Sequence, residues 1–245
     1  MGNYWLRRRR VVGILVILMA QFVALTVPLN GQVAATPVEP SCSAALLIGL
    51  RGSSDSLEVD LGLGTPVRAM FDLLRDNGWR SYALPYDALR PFVTAADQTK
   101  AAIDNGVRML VEFVDRRAHE CPQEKIVVAG YSLGAAVLGT ALADHNMGRR
   151  IAAAVLFADP WFNPKDPTAA GTFDPAYGGQ YGLRPLYLSA ITDKVRSYCR
   201  QRDRICQAGA PSATKVEHGR YAPDQSCDAA RFISVRLGIH PPACK

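Results

Sequence analysis

The run KIVVAGYSLGAA, residues 125–136, constrains the chain more than any other stretch. Its first half, KIVVAG, reads as a strand, apolar after Lys125. Its last residues are small, and between the two halves lies Gly130-Tyr131-Ser132-Leu133-Gly134, a GxSxG pattern. A strand that passes directly into a helix through this pentapeptide must turn sharply at the carboxyl edge of a sheet. That turn raises the serine oxygen clear of the backbone, the geometry of a nucleophile elbow. Gly130 and Gly134 leave room where side chains would collide with strand and helix, and Ala135 and Ala136 let the helix pack close.

The same strand-helix alternation runs along the chain. AALLIGL (44–50), RSYALPY (80–86), KIVVAG (125–130), IAAAVLFAD (151–159) and RPLYLSA (184–190) read as strands. A first helix is bracketed by Thr65, Pro66 and Gly78, with Val67, Met70, Phe71 and Leu74 on one face. Further helices are expected over 94–118, 135–146 and 224–237, the last stopping at Gly238. This order predicts one α/β domain, a three-layer sandwich whose mainly parallel five-stranded sheet is covered on both faces. The LGLGT near residue 62 lacks the glycine spacing and the preceding strand of a dinucleotide fingerprint. The irregular stretch Trp161 to Gly182 is too long for an idle connection, and is expected either to line a site or to cover a core edge.

The front of the chain is different. Arg7 to Arg10 form a basic block, Val11 to Leu29 are almost wholly apolar, and Val33-Ala34-Ala35 offers small residues for cleavage. A secretory signal peptide is expected over residues 1–35, followed by a linker over 36–41 and the folded domain over 42–245. The apolar run is long enough to span a bilayer, so an uncleaved membrane anchor is the competing reading. The surroundings of the arginine pairs fit a twin-arginine signal poorly. Four of the 28 basic residues lie in residues 1–35, which contain no acid, so the formal charge of +6 falls to +2 beyond them. No basic stripe is left for a nucleic acid. Cys42, Cys121, Cys199, Cys206, Cys227 and Cys244 all follow the leader, which suits an oxidising compartment and up to three disulfides. Their wide spacing, without a CxxC pair, argues against zinc.

A serine is a poor nucleophile at neutral pH and needs a base and an orienting carboxylate, here expected in the chain order Ser, acid, His. Only His218 and His240 lie beyond Ser132. His240 stands before two prolines near the end, whereas His218 lies in a loop before the last helix, the expected place for the base. His119 and His145 read as helix-end or surface residues. Pattern alone leaves the acid open among Asp159, Asp193 and Asp203. A disulfide across CRQRDRIC (199–206) would rigidify the loop that carries Asp203, as an orienting carboxylate requires.

Five motifs in one order carry a family resemblance: LRGSSD (50–55), GYSLGA (130–135), LFADP (156–160), CRQRDRIC (199–206) and HGRY (218–221). The chain resembles the cutinase family of secreted serine esterases, an α/β-hydrolase group without a large lid. The resemblance implies Ser132 as nucleophile, His218 as base and Asp203 as acid. It further implies an oxyanion hole from the Ser53 amide and hydroxyl with the Leu133 amide, and Cys42–Cys121, Cys199–Cys206 and Cys227–Cys244 bridges. Position 133 is commonly Gln in the family; Leu133 keeps the amide but not a side-chain contact that would steady the hole.

The function expected is therefore hydrolysis of carboxylic esters, of a cutin-like polyester or a lipid, by a secreted monomer through an acyl-enzyme on Ser132. That chemistry calls for neither a metal nor an organic cofactor. An acetylxylan-type deacetylase, or an acyltransferase or thioesterase, would use the same triad. A non-catalytic, membrane-tethered binding protein would keep the fold and have no use for the triad.

Overall fold

The computed structural model describes residues 41–244 apart from 54, 89–95 and 145. The expected leader, all of the linker but its last residue, and His145 lie outside the described residues. In chain order the elements are β1 (Ala45–Leu50), α1 (Thr65–Asp72), β2 (Trp79–Ala83), α2 (Ala96–Glu120), β3 (Lys125–Tyr131) and α3 (Leu133–Asp144). There follow β4 (Ala153–Phe157), β5 (Ala169–Gly171), α4 (Ser189–Thr192), β6 (Val195–Cys199), α5 (Lys215–His218) and α6 (Asp224–Leu237).

The six strands form one sheet in the order β2-β1-β3-β4-β6-β5, and every pairing is parallel. Alternate residues of β1 enter two different cores. Leu46, Ile48 and Leu50 pack with Ile103, Leu110 and Val114 of α2 and Val137 and Leu138 of α3. Ala45 and Leu47 face the other way, with Val67, Met70 and Phe71 of α1 and Ala229, Ala230 and Ile233 of α6. β1 and β4 are buried along their whole length, which is why they read as unbroken apolar runs. α6 ends as the sequence requires, with Gly238 in the left-handed conformation at φ 68°.

Strand order reverses between β1 and β3. The chain moves from β1 out to β2, then returns across β1 to β3. A crevice opens at the carboxyl ends of the strands at such a switch point, and ligands of α/β proteins gather there. The turns that follow β1 and β3 are those that carry Ser53 and Ser132.

The sheet has six strands rather than the expected five, and the fifth expected strand is misplaced. RPLYLSA forms no ladder: the Arg184 side chain turns inward to Asp159 and the Tyr187 N–H donates to Asp166 Oδ2 at 2.9 Å. Leu186 and Leu188 are left exposed. Pro185, which has no N–H, would interrupt a central ladder in any case. The strand at this position is β6, VRSYC, whose Arg196 and Ser197 break the apolar run that signals a buried strand. β5 lies inside the stretch expected to be irregular, and pairs with β6 at the sheet edge.

Three disulfides join Cys42 to Cys121, Cys199 to Cys206 and Cys227 to Cys244, the pairing that the resemblance implied. The first ties the segment before β1 to the residue after α2. A buried Glu124 carboxylate reinforces that junction by accepting from Arg117 and from the Ser43 N–H and hydroxyl. Among the described residues no helix is long and apolar enough to cross a membrane.

Candidate active site

The elbow forms where β3 ends. Ser132 has φ of 54°, a left-handed backbone that a non-glycine residue holds only under constraint. Its N–H donates to Phe157 O at 2.9 Å, and Ala136 N–H donates to Ser132 O at 3.0 Å, so both sides of the turn are fixed. A Cβ on Gly130 would stand 2.4 Å from Gly134 O, and one on Gly134 would stand 2.0 Å from Leu50 O. Neither position admits a side chain, which accounts for both glycines of the motif.

His218 is the last residue of α5, a one-turn helix whose Glu217 N–H donates to Thr214 Oγ1 at 3.2 Å. Its Nε2 lies 3.1 Å from Ser132 Oγ. Its Nδ1 lies 3.0 Å from Asp203 Oδ1 and 3.1 Å from Oδ2. Asp203 is fully buried, in the loop that the Cys199–Cys206 disulfide closes. The carboxylate also accepts the Ile205 N–H at 2.8 Å and the Tyr221 hydroxyl at 2.6 Å. Burial, with Asp203 beside it, pushes the Tyr221 hydroxyl well above the usual phenol range, so it remains a donor.

The two rival aspartates are engaged elsewhere. Asp159 is buried in an ion pair with Arg184, both contacts at 3.1 Å. Asp193 follows α4 and pairs with Arg236 at 2.9 Å near the surface. His119 and His240 are exposed, and neither is among the groups around Ser132.

Ser53 is exposed in the turn after β1. Arg51 fixes the base of that turn. Its Nε donates to Asp55 O at 3.0 Å and its Nη2 to Tyr86 O at 2.9 Å, and the Tyr86 hydroxyl donates back to Arg51 O. Asp55 Oδ2 accepts the Gly52 N–H at 2.9 Å. Leu133 is the first residue of α3, where helical N–H groups have no carbonyl within the helix to meet. The two amides nominated for an oxyanion hole thus stand on neighbouring strand ends, with β1 and β3 paired up to Leu50 and Gly130.

The stretch from Trp161 to Gly182 does line a cavity. Trp161 and Tyr181 meet Lys100, Ile103 and Thr140 around about 500 Å³, and none of Ser132, Asp203 or His218 borders it. Among the described residues no cluster of His, Cys, Asp or Glu is arranged to hold a metal ion. Sequence reasoning did not single out the contacts of Tyr131, Tyr221, Arg51 and Asp55. Each of these residues sits in or beside a motif, but nothing in a motif tells which way a side chain points across space.

A parallel sheet with a serine at a β-turn-α elbow defines an α/β-hydrolase fold, and at that elbow an imidazole from a short helix and a buried carboxylate from a loop meet the serine in the arrangement that a Ser-His-Asp site requires. Residues 41–237 match the model of the cutinase family. The chain belongs to that family and is a carboxylic-ester hydrolase. It is 28% identical over 239 residues to carboxylesterase Culp1 of Mycobacterium tuberculosis, spanning 93% of this chain and 95% of that one. It is 27% identical over 223 residues to phospholipase Culp4 of the same organism, spanning 89% of each. It is also 27% identical over 155 residues to acetylxylan esterase 2 of Talaromyces purpureogenus, a match that spans 56% of this chain and 64% of that protein. Among solved structures, the catalytic core of an acetylxylan esterase from Trichoderma reesei superposes with a TM-score of 0.66 at 23% identity, over 80% of this chain and 99% of that one. A cutinase-like protein from Cryptococcus sp. gives 0.65 at 19% identity, over 81% and 99%. At these identities the structural likeness speaks for the fold.

Proposed function

We propose that the esterase acts through Ser132 as nucleophile, His218 as general base and acid, and Asp203 as the carboxylate that orients the imidazole. The observation that carries this reading is the chain of contacts from Ser132 Oγ to His218 Nε2 and from Nδ1 to Asp203. Ser132 Oγ bonds to the ester carbonyl carbon while its proton passes to His218 Nε2. The oxygen that gains charge faces the Ser53 and Leu133 amides, where fixed dipoles act without reorganisation. His218 then gives its proton to the leaving alcohol, and the ester C–O bond breaks. Water, losing a proton to the same nitrogen, attacks the acyl-enzyme and releases the acid and the free serine.

The substrates proposed are lipid or polyester esters with an apolar acyl part. Leu57, Val59 and Leu61 are exposed in the chain that follows the Ser53 turn, and Val216 is exposed on the helix of His218. The relatives matched over nearly their whole length bear the names carboxylesterase and phospholipase. We further propose that residues 1–35 direct secretion and are removed, which would suit three disulfides.

The test is labelling with a fluorophosphonate together with turnover of p-nitrophenyl esters of increasing chain length. Wild-type protein labels and Ser132→Ala does not, with turnover lower by about 10⁶-fold. Labelling that survives in Ser132→Ala removes this serine from the reaction. A maximum at the acetyl ester, with acetylated sugars as the better substrates, would replace the lipid reading by a deacetylase.

A further inference from the structure

Tyr131 is the neighbour of Ser132 that the reaction above leaves without a task, and its side chain reaches three segments of the site. The ring stacks on the imidazole of His218, with centroids 5.1 Å apart and planes inclined by 26°. Its hydroxyl donates to His218 O at 2.9 Å. The ring of Tyr221, which holds Asp203, meets it edge-on at 6.2 Å. On the other side Gly52 backs onto the ring, where a Cβ would come within 2.9 Å of Tyr131 Cδ1. The turn that carries Ser53 therefore rests on the same ring that rests on His218. Burial, followed by the Asp55 and Asp203 carboxylates, raises the phenol well above its usual range, so the ring stays neutral wherever the enzyme works.

We propose that Tyr131 is a positioning residue for ester hydrolysis, whose ring stabilises the imidazolium that His218 becomes and whose hydroxyl fixes the main chain that carries it. The inference rests on His218 being the base. A cation is attracted to an aromatic face within about 6 Å of its centroid. His218 is neutral before the reaction and cationic once it has taken the serine proton, so this attraction is stronger in the transition state than in the resting enzyme. Only such interactions accelerate the chemical step. The charged and titratable groups around the imidazole are Asp203 at Nδ1, Ser132 at Nε2, Asp55 within its field, and Glu217 beside it in the chain. Glu217 is itself shared by Arg200 and Arg220. The ring adds no net charge to this set; it adds a negative face directly over the group that becomes positive.

The experiment compares Tyr131→Leu, Tyr131→Phe and His218→Ala in the full chain, measuring kcat and KM for p-nitrophenyl butyrate across the acid limb of the pH profile. Tyr131→Leu is expected to lose about tenfold in kcat with KM nearly unchanged, and its acid limb should move to lower pH by about half a unit to one unit, because the imidazolium forms less readily without the ring. Tyr131→Phe keeps the ring, so its limb should stay at the wild-type position while kcat falls about threefold for want of the bond to His218 O. A residue that served the fold alone would scale the rate at every pH and leave the limb in place. Tyr131→Met, whose flexible side chain fills the slot without a ring, must give the same shift, and it keeps the test open if the leucine variant does not fold. An unmoved limb in both ringless variants overturns the inference when His218→Ala is inactive. If His218→Ala turns over normally, it is the assignment of the base that fails.

Discussion

The Tyr221 hydroxyl donates to Asp203 Oδ2 at 2.6 Å from a position with 1% exposure. The bond closes the side of the carboxylate that faces the core, while the Ile205 N–H serves the other oxygen and His218 spans both. Tyr221→Phe removes the donor and keeps the ring that packs edge-on against Phe157. A hydrogen bond to a charged group is worth about 1.5–3 kcal/mol, part of which is expected to appear as poorer orientation of the imidazole. The expected result is a kcat lower by about tenfold, with KM little changed and the far-UV spectrum of the native protein. Wild-type turnover in this variant would mean that Ile205 and His218 hold the carboxylate unaided.

Asp203 and Asp193 are separated by a pair of asparagine substitutions. Asparagine preserves the shape of a triad aspartate but favours the wrong histidine tautomer, and in another serine hydrolase that change lowers kcat by about 10⁴-fold. Asp203→Asn should be nearly inactive while folding normally. Asp193→Asn gives up a surface pair with Arg236 whose carboxylate is 59% exposed, and an exposed pair of this kind contributes little to stability. Its turnover should match the wild type. The reverse order of the two rates would move the acid to Asp193.

The elbow was legible in the sequence because everything it needs is local: an apolar strand, two glycines and small residues in one run of twelve. The layers were legible for the same reason, since strands buried on both faces announce themselves as apolar runs. β6 was not, because its Arg196 places the guanidinium over the Phe232 ring, a contact with a residue 36 positions away that no period along the strand reports. RPLYLSA misled in the opposite sense. Its leucines lie outside and its Arg184 lies inside, held by Asp159, so burial there follows an ion pair rather than hydropathy. At the site, Ser132 and His218 could be nominated by chain order. The acid could not be chosen by strand position, and Asp203 was nominated only through the cysteines that bracket it and through the family resemblance. Tyr131 and Asp55 escaped because their importance lies in which loop each side chain meets.

The Cys199–Cys206 bridge should matter more to rate than to fold. Closing eight residues restricts the unfolded chain by about 2.5 kcal/mol. The same closure holds Asp203, whose N–H donates to Arg200 O at 3.1 Å within the loop and whose carbonyl accepts the N–H of Gln207, the residue just beyond it, at 2.7 Å. The double variant Cys199→Ser, Cys206→Ser is expected to keep a near-native far-UV spectrum and lose most of its ester turnover. Full activity there would show that the loop's own hydrogen bonds suffice.

Asp55 should leave a signature in the pH dependence of stability. Burial raises its carboxyl above the ordinary value of 3.8, and the nearby Asp60 acts in the same direction, while the Gly52 N–H, Arg51 and His218 oppose them. A raised carboxyl binds its proton more readily in the folded than in the unfolded chain, so the folded state is favoured most below the unfolded value and loses stability as pH climbs through the folded one. Asp55→Asn cannot ionise, yet its side-chain carbonyl can still accept the Gly52 N–H. Thermal unfolding of the two proteins should therefore nearly coincide at the most acid pH that each tolerates. The advantage of Asp55→Asn in Tm should open from about pH 4 upward and then level once Asp55 is ionised in the folded wild type. A difference that is constant with pH, or that favours the wild type as pH rises, would mean that Gly52, Arg51 and His218 together outweigh burial and that the charged form of Asp55 is the one the fold prefers.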